Sequence, residues 1–327
     1  MNTISEELFS IHTEHGFDQA ALSIFRHQAA NCAVYKDYIH HLRIHPGEIN
    51  EVKQIPFLPI AFFKNHSILS NNHPIEITFS SSGTTGMVQS SHHVTDVHLY
   101  EQSYLKAFEH FYGKVEEYCF LALLPSYQQR AGSSLIYMVN DLIEKSNHSQ
   151  SGYFLYNHDE LMETLMKLKA AKQPTVLIGV TYALLDFIEK YDIDFPGLIV
   201  METGGMKGRR KEMVREELHS QLTKGFGIDS IHSEYGMTEL LSQAYSLGEG
   251  LFQCPAWMRV YIRDTNDPLS LIQTGRTGGI NVIDLANVNS CSFIATQDLG
   301  RMDSKGNFEV LGRFDNADIR GCNLLVQ

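Results

Sequence analysis

A chain of 327 residues, 43% hydrophobic and 20% charged, has the balance of a soluble globular protein and suffices for one large body or two fused lobes. Its net charge of −12 argues against general affinity for nucleic acid or for an anionic membrane surface. No apolar run is long enough to span a bilayer, and the amino end lacks the basic-then-apolar order of a signal peptide, so a cytoplasmic protein without membrane insertion is expected.

Residues 5–30 carry apolar positions at helical spacing (Leu8, Ile11, Phe17, Ala21, Ile24, Phe25), and Gly16 predicts a break into two short helices. Pro46, Pro56 and Pro59 punctuate a connection that ends in Ile60-Ala61-Phe62-Phe63. The strand-like Ile75–Phe79 then runs into Ser80-Ser81-Ser82-Gly83-Thr84-Thr85-Gly86. A helix is expected from Tyr100 to Phe111. From Tyr118 onward strands alternate with helices: strand 119–124, helices 133–145 and 159–172, strand 176–180, helix 182–191 capped by Thr181, strand 198–201, helix 209–222, and a strand near Ser230–His232. Such alternation means βαβ units and a parallel sheet, whose ligands sit off the carboxyl ends of the strands. Beyond residue 250 short alternating strands follow (258–262, 279–284, 292–296, 307–311). The expected organisation is α/β, with a helical part at 1–75, an α/β core at 76–250, a β-rich lobe at 251–312 and a tail at 313–327.

The five cysteines (Cys32, Cys119, Cys254, Cys291, Cys322) include no Cys-x-x-Cys, which leaves neither a zinc ribbon nor a disulfide framework. The adjacent pairs His40-His41 and His92-His93 point their rings in different directions and are expected as solvated surface groups.

The run Ser80–Gly86 is the first candidate for chemistry. Glycines let the backbone present successive N–H groups, and the hydroxyls add donors, which suits a polyphosphate. No lysine follows the second glycine, so this is not the P-loop of NTPases; alone, such a run is more often an ordinary flexible loop than a phosphate site. Four further segments bear on it. Glu202-Thr203-Gly204-Gly205 offers bare backbone at a strand end for a flat ring. In Tyr235-Gly236-Met237-Thr238-Glu239, the Tyr235 ring can stack on a base, Thr238 can donate to an α-phosphate, and Glu239 can hold Mg²⁺. Asp298 can accept from two ribose hydroxyls, and Arg313 can add a charge-assisted contact. Each segment has a bland counterpart: a turn, a helix start, an Asx-turn, a surface ion pair between Arg313 and Asp315.

Their joint order, from about Ser80 to Asp315, resembles the adenylate-forming superfamily of acyl-CoA ligases, peptide-synthetase adenylation domains and luciferases. Ser81-Ser82-Gly83-Thr84-Thr85-Gly86 resembles its phosphate loop, although Met87-Val88 stand where proline and lysine are usual. Tyr235-Gly236-Met237-Thr238-Glu239 matches the family's Tyr-Gly-x-Thr-Glu motif at every defined position. Asp298 stands at the ribose-binding aspartate, with Gln297 replacing the usual glycine before it, and Gly312-Arg313-Phe314-Asp315 resembles the ribose-contacting arginine and hinge aspartate. Only 14 residues follow Arg313, so the resemblance implies the large N-terminal lobe without the mobile C-terminal domain and its catalytic lysine. Within the superfamily the chain is similar to the fatty-acyl-protein synthetases of bacterial luminescence operons, which end near a cysteine that carries the acyl group. Cys322 in Arg320-Gly321-Cys322-Asn323 corresponds to it, Pro255–Val260 also looks like that branch, and phenylacetate-CoA ligases are near relatives.

The resemblance implies an ATP- and Mg²⁺-dependent activation of a carboxylic acid, a fatty acid in that branch, to an acyl-adenylate. Transfer to the Cys322 thiol would follow, for delivery to an acyl reductase or another acceptor protein. An acid–CoA ligase and a non-catalytic nucleotide-binding subunit are the competing readings. Tyr127, Tyr182 and Met206 are expected near the acid, Arg130 faces either a carboxylate or solvent, and homo-oligomerisation is left open.

Overall fold

The computed structural model describes residues 8–81, 88–126, 130, 132–204 and 213–314. Thr13 begins the first long helix, α1 (Glu14–Asn31), because its hydroxyl accepts from the Gly16 N–H at 3.1 Å. Gly16 therefore sits inside the first turn and does not break the helix as expected. Helix α2 (Ala33–His41) follows. Buried Gln28 of α1 donates to the carbonyls of Asn287 and Val288 and accepts from the Ser292 N–H, tying the amino-terminal helices to the far end of the chain.

The connection carries a two-residue strand, β1 (Leu58–Pro59), and a 3-10 turn, Ile60–Lys64. Strands β2 (Ile77–Ser80) and β3 (Ser91–Val94) form an antiparallel hairpin with Ser80 opposite Ser91, so the hydroxyl-rich run is the hairpin's loop. Residues 82–87 of that loop lie outside the described residues.

The α/β part reads β4 (Cys119–Leu123), β5 (Gly152–Tyr153), β6 (Thr175–Gly179), β7 (Leu198–Glu202) and β8 (His232–Tyr235). Its helices are α3 (Val97–Tyr112), α4 (Ser134–Ser146), α5 (His158–Ala171), α6 (Thr181–Ile188) and α7 (Arg215–Phe226). Then come β9 (Ala244–Ser246), β10 (Leu251–Gln253), β11 (Met258–Arg263), β12 (Gly278–Asp284), β13 (Phe293–Met302) and β14 (Phe308–Arg313). One sheet holds twelve of these strands in the order β11-β12-β13-β14-β10-β9-β8-β7-β6-β4-β5, with β1 added in parallel on β13. Strands β5, β4, β6, β7 and β8 run parallel; from β8 to β9 onward the pairing is antiparallel. Cys119–Leu123 and Thr175–Gly179 are buried at every position, as parallel strands covered on both faces are.

Several boundaries differ from the sequence reading. The helix expected at 209–222 runs from Arg215 to Phe226, ended by Gly227 in the left-handed region (φ 62). Val180, not Thr181, precedes α6, and the Thr181 hydroxyl instead donates to Glu202 at 3.4 Å. The strand expected near 230–232 runs instead from His232 to Tyr235. Strand β13 continues well past Thr296, so Asp298 lies within a strand and not in a turn.

Candidate active site

The parallel strands end at one cavity of about 840 Å³. Leu124 and Pro125 follow β4, Val180 follows β6, Thr203 and Gly204 follow β7, and Gly236 to Glu239 follow β8; all line it. That is the carboxyl-end location the strand–helix alternation predicts. The hairpin adds Ser80, Ser81 and Ser90, α4 adds Ser134 to Ile136, β13 adds Thr296 to Asp298, and β14 adds Arg313. Thus Ser81, Gly204, Gly236, Met237, Thr238, Glu239, Asp298 and Arg313, scattered over the sequence, share one space. Ser82, Gly83, Thr84, Thr85, Gly86, Gly205 and Cys322 lie outside the described residues, as do Tyr127 and Met206.

Asp298 is buried and its carboxylate is held from two sides. The Tyr235 hydroxyl donates to Oδ2 at 2.8 Å and Arg313 Nε donates to Oδ1 at 3.1 Å. Arg313 therefore pairs across the β13–β14 ladder, where Asp298 and Arg313 are register partners, and its side chain is 75% exposed. Tyr235 takes a different place from the open ring face expected of it. Its ring is buried edge-on against Phe252 and Phe308, behind the cavity wall. It orients Asp298.

Glu239 is 5% exposed, and burial pushes its carboxyl above the ordinary range; a Ser90 hydrogen bond and the nearby charges of Arg313 and Lys64 act the other way. Its backbone and that of Thr238 are fixed from behind. His92 Nδ1 lies 2.9 Å from the Thr238 carbonyl and Nε2 lies 3.0 Å from Asn287 Oδ1, while Asn287 Nδ2 donates to the Glu239 carbonyl at 2.8 Å. His92 is 1% exposed, and burial lowers its pKa to about 4. The expectation of a solvated surface histidine is thus corrected. Strand alternation turns His92 inward, whereas its neighbour His93 meets Thr78 on the other face.

Glu202, at the end of β7, is also buried. Burial acts to raise its pKa, but His219, Arg215 and Ser233 beside it hold the carboxyl below the ordinary value. The Gly204 N–H donates to the same carboxylate at 2.7 Å, with Gly204 at φ 74, a conformation that suits glycine. The strand end is therefore an anchored turn.

Sequence reasoning passed over Lys64, Glu234, Gln243 and Asp284. Lys64 ends the 3-10 turn and lines the cavity without a hydrogen bond or ion pair among the described residues. Asp284 is fully buried, and burial raises it to about 6. It accepts from the N–H groups of Leu241, Ser242 and Ala286 and from the Ser242 hydroxyl, so it pins the segment after Glu239. Ser103, which accepts from the Trp257 indole at 2.9 Å, contacts Ser242 as well. Tyr182 is buried in α6 and Arg130 reaches the cavity.

Among the described residues no group of three or more His, Cys, Asp or Glu side chains could hold a metal, and no helix is long and apolar enough to cross a membrane. One buried carboxylate at a polar cavity nevertheless fits Mg²⁺, which commonly takes one or two carboxylates and completes its shell with phosphate oxygens and water.

A family model described as acyl-protein synthetase, LuxE, matches residues 7–327. The chain belongs to the LuxE acyl-protein synthetase family. A long-chain-fatty-acid–luciferin-component ligase of Photorhabdus luminescens is 37% identical over 67 residues, 20% of this chain and 57% of that relative. Among solved structures, ATP-bound MatB of Rhodopseudomonas palustris superposes with a TM-score of 0.54 at 16% identity, covering 73% of this chain and 48% of MatB. A 2-hydroxyisobutyryl-CoA ligase with its acyl-adenylate gives 0.68 at 10% identity, covering 93% and 68%. The fold of this LuxE-family chain is thus the N-terminal lobe of adenylate-forming enzymes, and the chain spans about half the length of MatB.

Proposed function

We propose that the protein uses ATP to activate a carboxylic acid, a fatty acid as the relative's name suggests, and passes the acyl group to a thiol. The observation that carries this reading is the convergence of Gly204, Thr238, Glu239, Asp298 and Arg313 on one cavity at the strand ends. Asp298, oriented by Tyr235, takes the ribose hydroxyls, and Arg313 shares that contact. Gly204 and Gly205 give the base a flat backbone surface, and Ser81 with Ser82–Gly86 wraps the β- and γ-phosphates. Lys64 supplies a cation beside Glu239, where the loop itself has none.

An oxygen of the substrate carboxylate attacks the α-phosphorus, and pyrophosphate leaves with its electron pair. Thr238 donates to the α-phosphate as charge builds there. Glu239, with phosphate oxygens, would hold Mg²⁺, which offsets phosphate charge when bound. A thiolate then attacks the acyl carbon and AMP leaves. Burial raises all four described cysteines, Cys119 to about 11 and Cys254 to about 12, so none is poised as a thiolate. Cys322 remains the internal candidate, with an acyl reductase or another acceptor protein downstream.

The decisive experiment incubates the protein with labelled fatty acid and ATP and looks for hydroxylamine-labile label. Label that depends on ATP and vanishes in Cys322→Ser supports the reading. Label persisting in that variant removes Cys322, and CoA-dependent AMP release from unlabelled protein makes CoA the acceptor.

A further inference from the structure

Strand β8 sends successive side chains to opposite faces, so Glu234 faces away from Tyr235 and its aromatic cluster. Glu234 lines the cavity beside Tyr100, whose phenol it influences, and no hydrogen-bond donor among the described residues reaches its carboxyl. Burial, with the charge of Glu202 adding to it, raises this carboxyl to about 8, so it is mostly a neutral acid at pH 7. Gln243 lines the same cavity, is 3% exposed, and its Oε1 has no partner among the described residues. The two side chains meet over Gly236. A Cβ at that glycine would lie 2.4 Å from Glu234 Oε1 and 3.3 Å from Gln243 Cγ. Asp284 fixes Leu241 and Ser242, and so fixes where Gln243 begins.

A buried amide oxygen without a partner, beside a desolvated carboxyl with none, carries a desolvation cost unless something in the cavity completes it. A neutral carboxyl donates one hydrogen and accepts another; an amide oxygen accepts. A hydroxyl is the group that answers both, donating to Gln243 Oε1 and accepting from the Glu234 O–H. The surrounding wall of Leu124, Ile136 and Met138 is apolar and suits an alkyl chain.

We propose that Glu234 and Gln243 form a polar subsite that selects hydroxylated carboxylic acids over plain ones. This rests on the acid-activating reading above, and it places the hydroxyl near the carboxyl end. Thr238 is two residues beyond Gly236, at most about 7 Å away, so an acid activated at Thr238 reaches the subsite with its first few carbons.

The test compares hexanoate, 2-hydroxyhexanoate, 3-hydroxyhexanoate, 6-hydroxyhexanoate and 2-aminohexanoate. Acid-dependent pyrophosphate exchange gives kcat/KM, and the rise in thermal midpoint without ATP reports binding alone. The 2- or 3-hydroxy acid is expected to exceed hexanoate by roughly tenfold or more in kcat/KM, because a site built to hydrogen-bond a hydroxyl rejects the analogue lacking it. In the double variant Glu234→Leu, Gln243→Leu the ratio should fall to about one. Glu234→Gln, which keeps a donor and an acceptor, should retain most of the preference. Apolar replacement of unpartnered polar groups leaves folding intact, and an unchanged midpoint of the unliganded double variant checks this. Equal rates and equal thermal shifts for hexanoate and all hydroxy acids, or preference for the 6-hydroxy or amino acid, overturn the subsite. Selective stabilisation by a 2- or 3-hydroxy acid without any pyrophosphate exchange keeps the subsite and removes the activation reading.

Discussion

The two halves of the cavity are finished to different degrees. On the Asp298 side, the carboxylate already has its partners: Tyr235 and Arg313 hold it, and aromatic rings fix Tyr235 from behind. On the Glu234 side, the Gln243 amide oxygen is buried with no partner among the described residues, and the half-buried Glu234 carboxyl beside it is raised by desolvation. The first half is preorganised for a ligand of fixed geometry, as a nucleotide would be. The second stores a cost that only a particular ligand removes. Tyr235, which holds Asp298, and Glu234 are successive residues on opposite faces of β8, so that one short strand serves both halves.

The contrast can be broken at its support. Asp284→Ala removes the acceptor of three N–H groups and a hydroxyl in a fully buried place, and should lower stability by roughly 3–5 kcal/mol in urea unfolding. If the midpoint barely moves, the segment carrying Gln243 is not held as described. Next in size is Glu239→Gln, expected to cut acid-dependent pyrophosphate exchange by about a hundredfold to a thousandfold while the fold persists. Undiminished exchange would contradict its metal role. Lys64→Met should weaken ATP binding about tenfold and leave adenosine binding unchanged, with Lys64→Arg recovering much of the loss. An equal loss for adenosine would place Lys64 outside the phosphate region.

The effects of pH have opposite signs in the two places. His92 is lowered from 6.5 to about 4, so between those values the unfolded chain takes up a proton that the folded chain excludes. Its contribution is present above pH 6.5 and is lost as pH falls toward 4. Glu234 is raised from 4.5 to about 8, so the folded chain keeps a proton that the unfolded chain has released. Its contribution is present below 4.5 and is lost as pH rises toward 8, with Glu202, Tyr100 and Tyr245 as the titratable groups around it. Urea midpoints across both windows should show Glu234→Gln flattening the alkaline limb alone. Flattening of the acid limb instead would reverse the assignment.

The alternation of strands and helices from Tyr118 to Tyr235 was legible, because period and apolar runs report burial directly, and the strand-end location of the cavity followed from it. The Tyr235–Glu239 motif was legible as chemistry, yet not the burial of the Tyr235 ring, which depends on Phe252 and Phe308 arriving from distant strands. His92 was misread because adjacency in sequence shows only that two rings diverge, not which one turns inward. Lys64, Asp284 and Gln243 carry no local signal. Their roles arise from pairings such as Leu58 with Ile294, which no window of sequence contains.

That pairing also bears on the order of assembly. Strand β1 is parallel to β13 across most of the chain's length, and the turn bearing Lys64 follows directly from β1. Closing so long a loop is entropically slow and must await β13. During synthesis, then, the βαβ units can fold while the Lys64 turn is still unanchored, and the pairing that anchors the turn forms only after β13 is made. Refolding followed through a probe at Lys64 should lag behind one placed on β6.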